Sequence, residues 1–302
     1  MKTYYAHGKL LLTGEYLVLH GATALALPVK LGQSIKVEPA ETSLIQWSAR
    51  HPDGPWLSAS FNPYSLDVVK ATDPAKAAKL SQVLQAIRSL NPSAFEPGLS
   101  FETRLDFNPS WGLGSSSTLL SLLAQWSGVN PYELLKMTFG GSGYDIACAT
   151  ADTSIYYQLR QGEPLASPVV FQPPFADHLF FVYQGQKQTS STEVGQFNSH
   201  FDPSAHANDM ATVDRVSLTL PQVTDLDDFR DLMTIHEIAI ARCTGKTPVQ
   251  MQYRDFKGTL KSLGAWGGDF LLAATGMSFE EVSAYFRNKG LTTLFKYQDL
   301  VL

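Results

Sequence analysis

Glycines and serines are concentrated in one short segment, where a strand pattern gives way to a helix pattern. The segment reads Pro109-Ser110-Trp111-Gly112-Leu113-Gly114-Ser115-Ser116-Ser117. Glycines let a backbone approach a ligand closely, and a helix N-terminus presents unpaired N–H groups with a partial positive charge. Serine hydroxyls can hydrogen-bond phosphate oxygens or hold Mg²⁺. The segment is therefore compatible equally with a phosphate site and with a plain strand–turn–helix that has serine caps.

Two further glycine-rich segments could also face a ligand. In Gly140-Gly141-Ser142-Gly143-Tyr144-Asp145, the aspartate could act as a general base or could cap the following helix. The segment Lys261-Ser262-Leu263-Gly264-Ala265-Trp266-Gly267-Gly268-Asp269 could bring backbone amides to an anion or could form a hairpin turn. Near the N-terminus, Lys9 precedes an apolar strand, where a lone lysine would ordinarily be solvated.

The elements that must position these segments follow one another irregularly. Period-2 hydrophobicity predicts strands over residues 29–37 and 99–107, and a continuous apolar run predicts a buried strand over 178–183. Apolar stripes with capping residues predict helices that begin or end at Asp73, Gly114, Gly128, Asn130, Gly245 and Ser278. Strands and helices mixed without a regular βαβ order favour an α+β fold over a doubly wound sheet.

A stretch rich in proline, glycine and glutamine, residues 161–174, predicts a boundary between two domains. We place an N-terminal domain at residues 1–165 and a C-terminal domain at residues 166–302. Residues 184–224 are polar and rich in loop-forming residues, so the sequence predicts no firm element there. A final strand is predicted over residues 291–297.

Composition excludes several classes of protein. The 302 residues are 44% hydrophobic and 17% charged, which is typical of a folded globular chain. A net charge of −5 argues against nucleic acid as a partner. Two distant cysteines without a CxxC motif argue against a disulfide framework, and no apolar run approaches the ~18 residues of a membrane span. We expect a cytoplasmic protein with no membrane partner.

Metal-capable side chains occur in one polar stretch, at His200, Asp202, His206 and Asp209. Their spacing matches no metal motif, so no site is predicted there. His236 precedes a glutamate on a helix, but Ile240 occupies the position where a zinc helix needs its second histidine. Because His236 lies on an apolar stripe, we expect a core histidine. No tightly held transition metal is therefore expected.

In order along the chain, these segments resemble the motifs of the GHMP small-molecule kinases, which include galactokinase and homoserine, mevalonate and phosphomevalonate kinases. A first motif like P-G-K-(apolar)-G-E is similar to residues 8–15, from Gly8-Lys9 to Gly14-Glu15. A second, like P-x-x-x-G-L-G-S-S, is similar to residues 109–116, and a third, like K-x-x-G-A-G-G-G, to residues 261–268. The segment ending in Asp145-Ile146-Ala147 resembles the G-S-G-F-D-V-A of the mevalonate and phosphomevalonate branch.

The sequence departs from these motifs at several positions. His7 stands where the first motif has proline, and Ser117 stands where alanine is usual. Trp266 replaces a glycine, so the third loop should approach a ligand less closely there. The segment from Ser116 to Asp145 is shorter than the family pattern leads us to expect.

The resemblance implies a two-domain α+β fold, with a left-handed crossover in the N-terminal domain and a ferredoxin-like C-terminal domain. It implies catalytic roles for Lys9 and Asp145. It implies ATP-binding roles for Pro109, Gly112, Leu113, Gly114, Ser115, Ser116, Ser117, Gly264 and Gly267. It implies substrate-binding roles for Glu15, Gly143 and Lys261. As Mg²⁺ ligands it implies Ser116 and Glu133, although Glu133 also fits a helix capping box.

The activity that the resemblance implies is transfer of the γ-phosphoryl group of ATP, with Mg²⁺, to a small anionic acceptor like mevalonate or phosphomevalonate. Such an enzyme of isoprenoid biosynthesis would have only small-molecule partners, as a monomer or homodimer. Two alternatives stay open: a sugar or heptose kinase of the same family, and a catalytically silent relative that binds ATP or a metabolite. Lys9 and Asp145 together argue against the silent relative, because binding alone would not need both.

Overall fold

A computed structural model describes residues 2–185, 190–266 and 268–302, without the side chains of residues 190–192. Its strands are β1 (Lys2–Leu11), β2 (Ala24–Pro39), β3 (Ile45–His51), β4 (Gly54–Phe61), β5 (Val68–Ala71), β6 (Leu99–Leu105), β7 (Ile155–Arg160), β8 (Glu163–Pro168), β9 (Leu179–Tyr183), β10 (Thr259–Ser262), β11 (Phe270–Ala274) and β12 (Leu294–Lys296). Its helices are α1 (Pro74–Leu90), α2 (Ser115–Ser127), α3 (Pro131–Thr138), α4 (Tyr144–Ala149), α5 (Ser190–His200), α6 (Ala207–Thr219), α7 (Leu226–Thr244), α8 (Phe279–Arg287) and α9 (Tyr297–Leu300). The predicted α+β class is confirmed.

The chain divides into two compact units, each built from three stretches of sequence. Unit 1 contains Met1–Gly8, Leu31–Pro109 and Leu113–Thr150, and unit 2 contains Lys9–Lys30, Ser110–Gly112 and Ala151–Leu302. The predicted boundary after residue 165 falls within β8, which pairs with β7 as an antiparallel hairpin. The division into domains 1–165 and 166–302 stays a prediction.

Unit 1 is a sheet covered by helices. The strands follow the order β5-β4-β3-β6-β2, and β1 also pairs with β2. Strand β6 runs parallel to β3 and antiparallel to β2. Alternate residues of β6 are buried, as its period-2 pattern predicts. The Trp47 ring on β3 stacks on Phe101 of β6 with centroids 5.2 Å apart, and α1 adds Leu84 and Ile87 to the same core.

Helix ends follow the predicted capping residues. The Asp73 side chain accepts the Lys76 N–H (3.1 Å) at the start of α1, and Pro74 follows as the first helical residue. Helix α2 lies between two glycines in the left-handed region, Gly114 and Gly128. In unit 2, α8 begins with the predicted capping box, in which Ser278 and Glu281 exchange hydrogen bonds.

Unit 2 contains an antiparallel sheet with the order β10-β11-β9-β12. In the chain its strands are arranged as β9, helices α5–α7, β10, β11, α8 and β12, which is the βαββαβ succession of a ferredoxin-like fold. The predicted buried strand is confirmed as β9, whose five residues are all buried. Strand β10 and strand β11 form a hairpin, and the third glycine-rich segment connects them.

Two stretches of the chain differ from the sequence expectation. The polar stretch 184–224 contains helices α5 and α6, which bury few apolar residues, among them Phe197, Val213 and Val216. So sparse a stripe is hard to distinguish from a loop. The predicted strand over residues 291–297 is shorter, because β12 spans only Leu294–Lys296 and α9 follows at once. No helix among the described residues is long and apolar enough to span a membrane.

Candidate active site

A buried ion pair in unit 2 joins two of the three motif segments, which are called here the first (residues 8–15), the second (109–116) and the third (261–268). The Lys261 ammonium group on β10 donates a hydrogen bond to the Glu15 carboxylate, and it also donates to the Ser262 carbonyl oxygen (2.8 Å). Lys261 is 0% exposed and Glu15 is 1% exposed. Burial raises the pKa of Glu15 to about 7, while the Lys261 charge acts in the opposite direction. The Lys261 charge thus offsets part of the cost of burying the Glu15 carboxylate.

Helix α7 supplies two more polar side chains to this region. The Gly14 N–H donates to His236 Nε2 (3.0 Å), so the neutral ring carries its proton on Nδ1. Burial, together with the Lys261 charge, holds the pKa of His236 well below its usual value. Glu237 accepts hydrogen bonds from the Ser262 hydroxyl (3.1 Å) and from backbone N–H groups, including that of Ser262 (3.2 Å). The expected core histidine is thus buried, and it anchors the first segment.

Gly14 is the point at which the first segment must be glycine. Its φ of +86° lies in the left-handed region, and a Cβ there would come within 2.8 Å of the Ala24 Cα. A side chain at this position would push the segment away from β2. The tight turn therefore fixes the backbone on either side of Glu15.

Gly112 and Asp269 bring the second and third segments together within unit 2. A Cβ on Gly112, whose φ is +72°, would lie 2.3 Å from the Asp269 Cγ, and a Cβ on Gly264 would lie 3.7 Å from its Oδ2. Asp269 is 7% exposed and has a φ of +51°. The Tyr183 hydroxyl donates to the Ser110 carbonyl oxygen (3.0 Å) and fixes the start of the second segment on β9. The Asp269 carboxylate is thus packed between two glycine-containing loops.

Trp266, which departs from the glycine pattern, is a core side chain of unit 2. It is 3% exposed and packs in a cluster with Tyr16, Val213 and Ile240. The Trp266 backbone N–H donates to the Tyr16 hydroxyl (3.1 Å), and Lys246 donates to the Trp266 carbonyl oxygen (3.3 Å). The next residue in the chain, Gly267, which was predicted to bind ATP, lies outside the described residues.

In unit 1, the predicted phosphate loop opens helix α2. Gly114 is its N-cap with a φ of +94°, and Ser116 in the first turn is exposed. The buried Ser117 hydroxyl donates to the Gly114 carbonyl oxygen (2.8 Å). Thr118 is fixed by a buried hydrogen bond to the Gln33 side chain (2.7 Å). The first turn of this 13-residue helix therefore has two kinds of hydroxyl group. Those of Ser117 and Thr118 are buried and hold the loop, and Ser116 is exposed.

Asp145 lies at the start of α4 in unit 1. The N-cap of α4 is Gly143, with a φ of +84°, so the alternative in which Asp145 caps this helix is wrong. The Asp145 Oδ1 accepts the Ile146 N–H (3.0 Å), and the residue is half-buried. Glu133 is exposed on α3, where the Asn130 side chain accepts its backbone N–H (3.4 Å).

Comparison with solved structures gives matches over almost the whole chain. Mevalonate kinase from L. major, in complex with R-mevalonate, superposes with a TM-score of 0.70 at 16% identity, covering 98% of this chain and 95% of that one. Phosphomevalonate kinase from Streptococcus pneumoniae, in complex with phosphomevalonate and AMPPNP, gives 0.69 at 16% identity and covers 98% and 100%. A D-glycero-D-manno-heptose 1-phosphate kinase from Bacteroides thetaiotaomicron gives 0.69 at 14% identity and covers 99% and 95%.

These structural neighbours are GHMP kinases. The chain has the GHMP kinase fold. No family model and no curated protein matches its sequence. At 11–17% identity the likeness is one of backbone architecture, and it assigns no acceptor.

Within this GHMP kinase fold, the structure brings together some of the predicted site residues. Glu15 contacts Lys261, and Gly112 and Gly264 lie against Asp269. Lys9 is half-buried on β1 and belongs to unit 2, whereas Asp145 belongs to unit 1. The ligand-binding role of each residue stays a prediction.

Sequence reasoning assigned no part in the site to three polar residues that the structure places there. His236 and Glu237 surround the Glu15–Lys261 pair, and their signal was two polar residues on an otherwise apolar helix face. Asp269 ends a glycine-rich run, and the sequence pattern assigned it no role. The Asp269 carboxylate is buried next to two glycines with positive φ, Gly112 and Gly264. We therefore interpret Asp269 as a residue that holds these two loops in place.

Proposed function

We propose that this chain is an ATP-dependent small-molecule kinase that transfers the γ-phosphoryl group to a small, anionic acceptor of the mevalonate or phosphomevalonate type. The observation that carries the proposal is the GHMP kinase fold over nearly the whole chain, with the glycine–serine segment at the start of α2. One of the matched enzymes is complexed with both an ATP analogue and a phosphorylated acceptor.

The α2 segment suits a polyphosphate. Gly112 and Gly114 have no side chains and occupy left-handed conformations, so the backbone can approach a ligand there. The first turn of α2 supplies unpaired N–H groups and the positive end of a helix dipole. We assign the ATP phosphates to residues 112–117 and to the loop that contains Gly264.

Magnesium fits the exposed hydroxyl of Ser116, and Glu133 is a second candidate ligand that is also exposed. Oxygen ligands from one or two side chains, with phosphate and water, are the coordination that Mg²⁺ prefers. When bound, Mg²⁺ neutralises charge on the phosphate oxygens.

Asp145 is the proposed base. In the transfer, the acceptor hydroxyl oxygen forms a bond to the γ-phosphorus while the bond from that phosphorus to the ADP oxygen breaks. The hydroxyl proton passes to the Asp145 carboxylate, which has one oxygen fixed by the Ile146 N–H. Lys9 is proposed to stabilise the negative charge on the transferred group.

A sugar acceptor is the second candidate, because a heptose 1-phosphate kinase matches the structure as well as the mevalonate-type enzymes do. Both acceptor classes present a hydroxyl group, so the proposed chemistry does not distinguish between them. The acceptor itself must be measured.

The test is ADP formation with ATP and Mg²⁺ across a panel that contains mevalonate, phosphomevalonate, homoserine, galactose and heptose phosphates. Turnover that is highest with mevalonate or phosphomevalonate supports the proposal. Turnover restricted to sugars replaces it with the second candidate. ATP binding by calorimetry without turnover on any acceptor would leave the silent relative, and absence of ATP binding would remove the kinase interpretation.

A further inference from the structure

Three metal-binding side chains of different types converge in unit 2, where α6 begins and α7 ends. His206 is the N-cap residue of α6, Asp209 lies in its first turn, and Cys243 lies in the last turn of α7. One ligand atom from each residue lies within 4.8 Å of the other two. This is the only such group among the described residues, and it is separate from every residue assigned above to ATP or its acceptor.

The geometry is close to what a tetrahedral ion requires. His206 Nδ1 is 3.2 Å from Asp209 Oδ2, since a spacing of three residues places both on one helix face. Zinc bonds of about 2.0 Å to N or O and 2.3 Å to S separate the ligand atoms by ~3.3–3.6 Å. Small side-chain rotations would bring the sulfur within that range. The His206 ring is held by Phe201, which stacks on it at 5.4 Å with an interplanar angle of 15°.

We propose that His206, Asp209 and Cys243 form a binding site for a borderline divalent cation such as Zn²⁺. One nitrogen, one oxygen and one sulfur ligand suit zinc, whereas Mg²⁺ and Ca²⁺ prefer oxygen ligands alone. Three protein ligands leave a fourth position for water. The site links the two helices, and Cys243 lies in the same apolar cluster as Tyr16 and Trp266.

A neighbouring positive charge opposes the cation. Arg242 Nη1 lies 3.5 Å from Asp209 Oδ1, but its side chain is 69% exposed and can turn into solvent. Removing this charge should favour a divalent ion by lowering the repulsion. Arg242→Gln is therefore expected to increase Zn²⁺ affinity about 3- to 10-fold.

The experiment is titration of the full, chelator-treated protein with Co²⁺ and then with Zn²⁺. We expect one Co²⁺ per chain, with a thiolate-to-cobalt charge-transfer band that Zn²⁺ abolishes. His206→Asn and Cys243→Ser should weaken Zn²⁺ binding by more than the ~10–100-fold that loss of an outer-shell partner costs. The matched controls are His200→Asn and Cys148→Ser, which alter a histidine and a cysteine outside the cluster and should bind as the parent does.

The outcomes separate clearly. The chain has two cysteines, so a cobalt–thiolate band that persists in Cys148→Ser protein identifies Cys243 even if Cys243→Ser does not fold. The absence of this band from the parent protein would overturn the site. Unchanged Zn²⁺ affinity in folded His206→Asn or Cys243→Ser protein would also overturn it, because the ion would then lie elsewhere.

Discussion

The residues that the sequence assigned to one site occupy two different physical settings. In unit 1, Ser116 is exposed and Asp145 is half-buried, so both can meet a ligand. In unit 2, Glu15 and Lys261 are sealed from solvent and contact each other. Residues from one group of motifs can therefore have two tasks. Side chains that reach solvent can take part in chemistry, and buried side chains hold in place the loops to which the reactive residues belong.

Energetics reinforce the distinction. A buried ion pair is weak evidence for net stability, but removing one partner leaves an uncompensated charge in the interior. Asp145 is half-buried, so its charge is not sealed in the interior as that of Glu15 is. Substitutions in the two settings should therefore differ in what they change, stability in one and turnover in the other.

The largest effect is expected at the sealed pair. Lys261→Met should lower the free energy of unfolding by about 3–5 kcal/mol, because Glu15 then remains buried without a counter-ion. Urea unfolding measures the change. Lys36→Met is the matched control, since Lys36 forms a surface pair with Glu38, and it should cost less than about 1 kcal/mol.

The double variant Glu15→Gln/Lys261→Met sharpens this test. It removes both charges, so it should regain part of the stability that Lys261→Met alone loses. A Lys261→Met protein within 1 kcal/mol of the parent would mean that the pair is not the structural link that its burial indicates.

At the accessible carboxylate, Asp145→Asn should reduce kcat by about 10²-fold or more, as loss of a positioned general base does. The free energy of unfolding and the ATP affinity should change little. Steady-state kinetics with the best acceptor of the panel measure the effect, and Asp152→Asn, at an exposed aspartate outside the site, is the control. Near-normal kcat in folded Asp145→Asn protein contradicts the proposed base.

Gly112→Ala tests whether the approach of Gly112 to Asp269 within unit 2 matters for nucleotide binding. Gly128→Ala has the same left-handed strain, with φ of +71° against +72°, but its Cβ would meet nothing within 4 Å. Each should lose about 1–2 kcal/mol of stability from backbone strain. Only Gly112→Ala should also weaken AMPPNP binding, because its Cβ displaces the Asp269 carboxylate. Equal affinities in the two variants, measured by calorimetry, would detach Asp269 from the nucleotide site.

The smallest effect concerns pH. The pKa of Glu15 is about 7 in the folded protein, against a reference value of 4.5. Between pH 4.5 and pH 7 the folded protein therefore retains a proton on Glu15 that the unfolded chain has released. This contribution to stability is complete below pH 4.5 and is lost as the pH rises through 7. His236, with its lowered pKa, acts in the opposite direction below pH 6.5, whereas Glu237, whose pKa is raised by burial, acts in the same direction as Glu15.

Carbon-13 NMR of the labelled Glu15 carboxyl group measures this titration directly. A midpoint near pH 7 is expected in the parent protein. A midpoint at or below 4.5 would show that the Lys261 charge outweighs burial. It would also remove the proposed loss of stability between pH 4.5 and 7.

Local patterns predicted local structure well. Asp73-Pro74 and the alternation of residues 99–105 identified α1 and β6, because caps and side-chain periodicity act over a few residues. The same reasoning missed α5 and α6. Their apolar stripes are sparse, so these helices are defined by the helices and loops against which they pack. Propensity is a weak guide where tertiary packing decides the outcome.

The candidate site shows the same limit at longer range. The glycine–serine segment was recognisable because its chemistry lies in consecutive residues. The contact of Gly112 with Asp269, and the convergence of His206 with Cys243, depend on packing between distant segments. The spacing of residues along a single sequence does not reveal contacts of this kind. Residue types alone therefore assigned no role to Asp269 or Cys243.

The Glu15–Lys261 pair also has a consequence for synthesis on the ribosome. The two residues are 246 positions apart, and residues 9–30 belong to unit 2 with Lys261. Glu15 must therefore stay in water, charged and without its permanent partner, until most of the polypeptide has emerged. Contacts that close so long a loop form slowly and expose intermediate states to aggregation. Unit 2 therefore cannot complete its core in the order in which its residues are translated.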